Sequence, residues 1–199
     1  MKPLTFVFIG RSGAGKGTQF ELLKKYLASV DTTRGQYVAV MGDIFRGFFK
    51  ADARLAHIAR DITNKGGFQP DFFTSGLFVS HIAHTLPEDT HIFIDGFPRS
   101  VEQLHALNEL AEYAHLENII YINIEVEPEE VKRRLLSRGR TDDTVEGITK
   151  RLSEYDRTVV PLIQKLEQSQ AYTYLEIDGN RSIQDIHEDI KSKLAPYLA

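Results

Sequence analysis

Short apolar runs and helical stripes alternate along the chain. Residues 4–9 (LTFVFI) are rich in aromatic and β-branched side chains and are bounded by Pro3 and Gly10, so they read as a buried strand. Residues 37–40, 91–95, 119–125 and 172–177 carry the same signature. Between these runs lie helical patterns, among them residues 20–27. The clearest joins Val145, Ile148, Leu152, Tyr155, Val159, Leu162 and Leu166, spaced 3, 4, 3, 4, 3 and 4, which is one stripe of an amphipathic helix. Pro161 is expected to bend that helix near its end. Strands separated by helices of this length predict parallel crossovers and a doubly wound α/β sheet. Residues 43–85 break the alternation, with several helical stretches and no strand, and predict a helical insert on the edge of the sheet. In open α/β sheets ligands bind beyond the carboxyl ends of the strands. The residues just after each predicted strand are therefore where chemistry is expected.

Composition narrows the picture. A chain of 199 residues makes one domain, or one domain carrying a small insert, and is long enough to bury a real core. With 24 Lys+Arg against 28 Asp+Glu the net charge is −4, which lacks the basic excess of a general nucleic-acid binder. There are no cysteines, so disulfides, thiol chemistry and cysteine-ligated zinc are excluded. No apolar run approaches a membrane span, and residues 4–9 lead straight into a glycine loop with no cleavage-like site. The expected compartment is the cytoplasm. Of the seven histidines, His81 and His84 are three apart on a predicted helix, but with no placed carboxylate they read as surface or core residues.

The glycine-rich stretch Gly10-Arg11-Ser12-Gly13-Ala14-Gly15-Lys16-Gly17-Thr18 follows the first strand and precedes a helix, the context a phosphate-binding loop requires. Glycines let successive N–H groups turn inward, and the helix N-terminus beyond favours an anion. Lys16 is placed to reach the outer phosphates. The hydroxyl that usually follows the lysine is displaced by one residue, from Gly17 to Thr18, so Thr18 is expected to meet phosphate rather than hold a metal directly.

The third strand runs into Asp95-Gly96-Phe97-Pro98-Arg99. Further motifs are Gly42-Asp43-Ile44-Phe45-Arg46, Pro70-Asp71, and the series Arg134, Arg138, Arg140-Thr141-Asp142-Asp143, Arg151-Leu152, followed by Pro161-Leu162-Ile163 and Ile177-Asp178-Gly179. In this order they resemble the adenylate kinase family of nucleoside monophosphate kinases over most of the chain. The resemblance implies a P-loop three-layer sandwich spanning residues 1–199, with a central five-stranded parallel sheet. It also implies a helical acceptor-binding insert at about 41–72 and a short lid at about 138–144.

By the same resemblance, the loop residues Gly10, Gly13, Ala14, Gly15, Lys16, Gly17 and Thr18, with Arg134 and Arg138, hold ATP. Arg46 and Arg99 grip the phosphate of AMP, and Arg140 and Arg151, which also belong to the AMP site, close over the phosphates from the lid side together with Arg134 and Arg138. Met41, Gly42, Phe68, Gln69 and Gly96 line the acceptor site, and Gln103 reads the base through its amide. Lys16, Arg99, Arg134, Arg138, Arg140 and Arg151 are the catalytic cations, and Asp95 the carboxylate that orients the water shell of Mg2+. Bringing two polyanions together needs positioning and positive charge above all, which explains this set of residue types. The implied partners are ATP, AMP and ADP, with no nucleic acid or membrane, and the implied state is a monomer.

Four departures from the family pattern bear on these expectations. Ser12 stands where proline is frequent, and Met41 replaces a threonine beside the acceptor base. Gly67, Phe68 and Gln69 occupy a stretch that commonly presents a Leu-Val-type backbone edge to that base. The lid is short, which together with the missing cysteines excludes lid zinc. The expected reaction is MgATP + AMP ⇌ 2 ADP. The alternatives are a kinase acting on UMP, CMP or GMP, a non-catalytic nucleotide-binding regulator with the same fold, and, more remotely, a small-metabolite kinase sharing the glycine loop.

Overall fold

A computed structural model describes residues 1–139 and 143–198. Its sheet contains β1 (Thr5–Ile9), β2 (Gly35–Val40), β3 (Thr90–Asp95), β4 (Ile119–Glu125) and β5 (Thr173–Asp178), in the order β2-β3-β1-β4-β5. All four pairings are parallel; Thr5 lies opposite both Ile92 and Ile119. Parallel pairing demands crossovers, and helices supply them on both faces. They are α1 (Lys16–Val30), α2 (Met41–Phe48), α3 (Arg54–Asn64), α4 (Asp71–Thr85), α5 (Val101–Tyr113), α6 (Pro128–Arg138), α7 (Val145–Gln168) and α8 (Ile183–Leu194). No helix among the described residues is long and apolar enough to cross a membrane.

Side-chain alternation along the central strand divides the core in two. Phe6 and Phe8 pack with Phe20, Leu23 and Leu27 of α1 and with Ile186 and Ile190 of α8. Phe20 bridges this layer, with ring centres 5.4 Å from Phe8 and 5.3 Å from Phe93. Val7 and Ile9 face the other way, into a layer formed by Phe78, Leu104, Leu107, Tyr155 and Val159. Phe97, just past β3, stacks on Phe78 at 4.1 Å and anchors the start of the Pro98-Arg99 turn.

The strands match the apolar runs to within two residues at each end, and the long stripe becomes α7. That helix starts on Thr144, whose hydroxyl accepts from Gly147 N–H at 3.0 Å. It continues through Pro161 to Gln168: the proline removes one backbone donor without ending the helix. Three helices lie between β2 and β3. Only α4 performs the crossover, burying Phe78 and Ile82 against the sheet, whereas α2 buries Met41 alone and α3 only Ala56 and Ala59. The turn after α3 then meets the first turn of α7. A Cβ on Gly66, whose φ is +71°, would lie 2.6 Å from the carbonyl oxygen of Gly147.

Candidate active site

A pocket opens above the carboxyl ends of β1 and β3, where the strand order makes the glycine loop central. Its walls include Gly10, Lys16, Met41, Gly42, Arg46, Phe68, Gln69, Gly96, Arg99, Gln103, Arg138 and Arg151, residues that lie as much as 141 positions apart (151 − 10). Gly10 opens the phosphate loop at φ +138°, with β4 so close that a Cβ would lie 2.5 Å from the Ile124 carbonyl oxygen. Beyond it Gly13, Ala14 and Gly15 carry the chain to α1, whose first turn contains Lys16, Gly17 and Thr18. Thr18 is exposed.

Lys16 folds back over its own loop, and Nζ donates to the carbonyls of Gly10 at 2.8 Å and Arg11 at 3.1 Å. Burial lowers the pKa of its ammonium; Asp95 opposes that effect, and the positive Arg99 and Arg138 reinforce it. Burial also lowers the pKa of Arg99, against the pull of Asp95 and with the push of Arg151. The pocket thus concentrates positive charge that is incompletely neutralised, an arrangement that a polyanion relieves. Asp95 supplies the compensating carboxylate. Its Oδ1 is buried and makes no hydrogen bond among the described residues.

Arg138, at the last turn of α6, forks onto Asp143 with Nε–Oδ2 at 2.9 Å and Nη2–Oδ1 at 2.8 Å, and Arg151 Nη2 meets the same Oδ1 at 2.8 Å. One buried carboxylate therefore gathers two arginines at the rim. Arg134, one turn earlier, is elsewhere. It pairs with Glu130 at 2.7 Å and donates to the Gly179 carbonyl at 3.1 Å, outside the pocket walls. Arg140 lies outside the described residues.

Across the pocket the Arg99 guanidinium sits 5.0 Å from the centre of the Phe68 ring. Arg46 is exposed and held by Asp43 one turn away on α2. Gln69 is spent on the fold: its buried amide donates to the Ala59 carbonyl at 2.7 Å and to Thr63 Oγ1 at 3.0 Å, fastening the end of α3. What Gln69 offers the pocket is therefore backbone. Gln103 reaches back from α5 to the start of the same turn and accepts from Arg99 N–H at 2.8 Å.

Two further wall residues have no role legible from the sequence. Arg11 was an ordinary loop position and Tyr155 a member of the core stripe, yet they meet inside the pocket. The Arg11 guanidinium stacks over the Tyr155 ring and pairs with Glu125 and Asp156. The one available signal was a long cation in a loop otherwise built of small residues.

A glycine loop that carries the central strand into a helix, beneath converging cations, defines a P-loop nucleotide-binding protein. The family model described as "Adenylate kinase" matches residues 8–171. An adenylate kinase of Prochlorococcus marinus (strain MIT 9301) is 34% identical over 95% of this chain and 97% of its own length. One from Parabacteroides distasonis is 36% identical, with 80% of this chain and 82% of the relative covered. UMP-CMP kinase 1 of Oryza sativa subsp. japonica is 30% identical over 98% of this chain and 75% of its own. The chain belongs to the adenylate kinase family, a family of nucleotide phosphotransferases.

Proposed function

We propose that the protein is an adenylate kinase that moves the terminal phosphoryl group of magnesium-bound ATP to AMP, reversibly, giving two ADP. The observation that carries this reading is the convergence of Lys16, Arg99, Arg138 and Arg151 on one pocket whose far wall holds the Gln103 amide. Lys16 and the loop amides would hold the donor phosphates, and Arg46 and Arg99 the acceptor phosphate. Arg138 and Arg151, tethered by Asp143, would close over the bridge between them. An acceptor phosphate is already ionised, so the protein needs no general base; it aligns the two chains, neutralises their charge and excludes water. Arg138 and Arg151 are already gathered on Asp143, so less reorganisation is left for them when they close.

The lone buried Oδ1 of Asp95 fits a site for magnesium carried in through its water shell. Bound there, the ion would supply charge neutralisation on the donor phosphates. The test of the function is a panel of monophosphates assayed with ATP. AMP should be the best acceptor, and AMP among the poorest would sink the assignment. The second reading, a UMP/CMP kinase, is favoured by Met41 at the base wall and by the likeness to the rice UMP-CMP kinase; the same panel separates the two.

A further inference from the structure

Asp71 opens α4 outside the pocket walls, yet its carboxylate faces the amide assigned above to the acceptor base. Gln103 Nε2 donates to Asp71 Oδ1 at 2.7 Å, while Gln103 Oε1 accepts from Arg99 N–H at 2.8 Å. Each partner has one role open to it, because a backbone N–H only donates and a carboxylate only accepts. The two ends of the amide are thereby assigned without ambiguity. Turning it over would set NH2 against N–H and a carbonyl oxygen against a carboxylate. Two hydrogen bonds would become two repulsions in a residue only 4% exposed.

We infer that Asp71 is a positioning residue that locks the Gln103 amide in one orientation, and so fixes which donor–acceptor pattern of a base edge the pocket accepts. This rests on the reading of Gln103 and of AMP as acceptor given above. The locked amide keeps one Nε2 proton and one Oε1 lone pair for a ligand. A 6-aminopurine offers a ring-nitrogen acceptor beside an amino donor, which complements that pair. The 6-oxopurine of IMP has the same shape and the reverse pattern, an N–H donor beside a carbonyl acceptor. A base tethered through its ribose to a phosphate at Arg99 is not free to turn over and restore the match. Discrimination then comes from unpaired polar groups rather than from size. Arg99 serves both ends: its side chain faces the phosphate region and its backbone N–H holds the second half of the lock.

The experiment compares wild type, Asp71→Asn and Asp71→Ser with AMP and with IMP as acceptor, following the KM of ATP and the thermal midpoint alongside. Asparagine is close in size, and its own amide meets Gln103 either way round, leaving only Arg99 N–H to oppose the flip. The AMP-to-IMP ratio of kcat/KM should narrow about tenfold or more in both variants, with the KM of ATP unchanged. An unchanged ratio, or equal loss on both acceptors, overturns the lock and leaves the acceptor assignment standing. A wild type that prefers IMP or a pyrimidine monophosphate overturns the acceptor assignment, and the inference with it. If neither variant folds, the wild type decides. The Gln103 side-chain amide protons should exchange with solvent far more slowly than those of the exposed Gln164, and equal rates overturn the lock.

Discussion

The guanidinium carbon of Arg11 lies 4.7 Å from the centre of the Tyr155 ring, and its nitrogens reach Glu125 at the end of β4 and Asp156 on α7. One loop side chain thus fastens the phosphate loop to the sheet and to the long helix that carries Arg151. Burial opposes the charge on Arg11, but Glu125 and its other partners outweigh that, and the pKa is raised. Arg11→Ala should reduce unfolding free energy by about 1–2 kcal/mol in urea titrations, through the lost cation–π contact and, to a smaller extent, the loss of two ion pairs to solvent-exposed carboxylates. Arg11→Lys should recover only part of this, since an ammonium does not fork onto both acids. An alanine variant as stable as wild type would show that these contacts contribute nothing.

Lys16→Ala should lower turnover by about a thousandfold or more, the scale of losing a charged donor aimed at developing phosphate charge. Removing this ammonium relieves the cost of burying its charge and its repulsion with Arg99 and Arg138, against the lost attraction to Asp95, so the thermal midpoint should not fall. Steady-state rates and a melting curve on one preparation check both parts; turnover near wild type would refute the donor role.

Arg99→Ala should act on the acceptor side. Its guanidinium packs on Phe68, and its neighbours in the turn lead to Gln103 rather than to the phosphate loop. The KM for the acceptor should rise about tenfold or more, while binding of ATP alone changes little. Calorimetric titration with ATP, set beside acceptor kinetics, decides it. Equal losses on both sides would contradict the placement.

Stability should decline on mild acidification because of His91, at the opposite end of the sheet. Its Nδ1 accepts from Leu4 N–H at 3.1 Å and its Nε2 meets Asp31 at 3.2 Å, so a second ring proton would point at a backbone donor. Burial holds its pKa below the usual histidine value despite Asp31. The unfolded chain therefore binds the proton more readily. The stability is fully present above the unfolded value of about 6.5 and is lost as pH falls from there through the folded one. His187, also lowered chiefly by burial, adds in the same direction. Urea midpoints between about pH 8 and pH 5 should slope downward with acid, and less so in His91→Gln. An identical slope in that variant would assign the effect elsewhere.

The repeating parts of the fold were readable because they are local. Short apolar runs placed all five strands and a 3.6-residue period placed α7, and the glycine loop announced itself by spacing and by position after a strand. What stayed hidden depends on partners distant in the chain. Arg11 finds Glu125 and Asp156 at separations of 114 and 145 residues, which no local pattern encodes. Gln69 stood where a base contact was expected, and its amide is instead consumed by the Ala59 carbonyl of α3 and by Thr63 Oγ1. Arg134 and Arg138 share a helix and a spacing, yet only Arg138 faces the pocket, because Gly179 and Glu130 draw Arg134 to the β5 side.

The meeting of Gly66 with Gly147 bears on the enclosure of the pocket, which Gly66 lines. The turn after α3 and the first turn of α7 meet main chain to main chain at this point. In the proposed enzyme even one methyl group at Gly66 would be a wedge in that seam, holding α3 off α7 and admitting solvent to the bound phosphates.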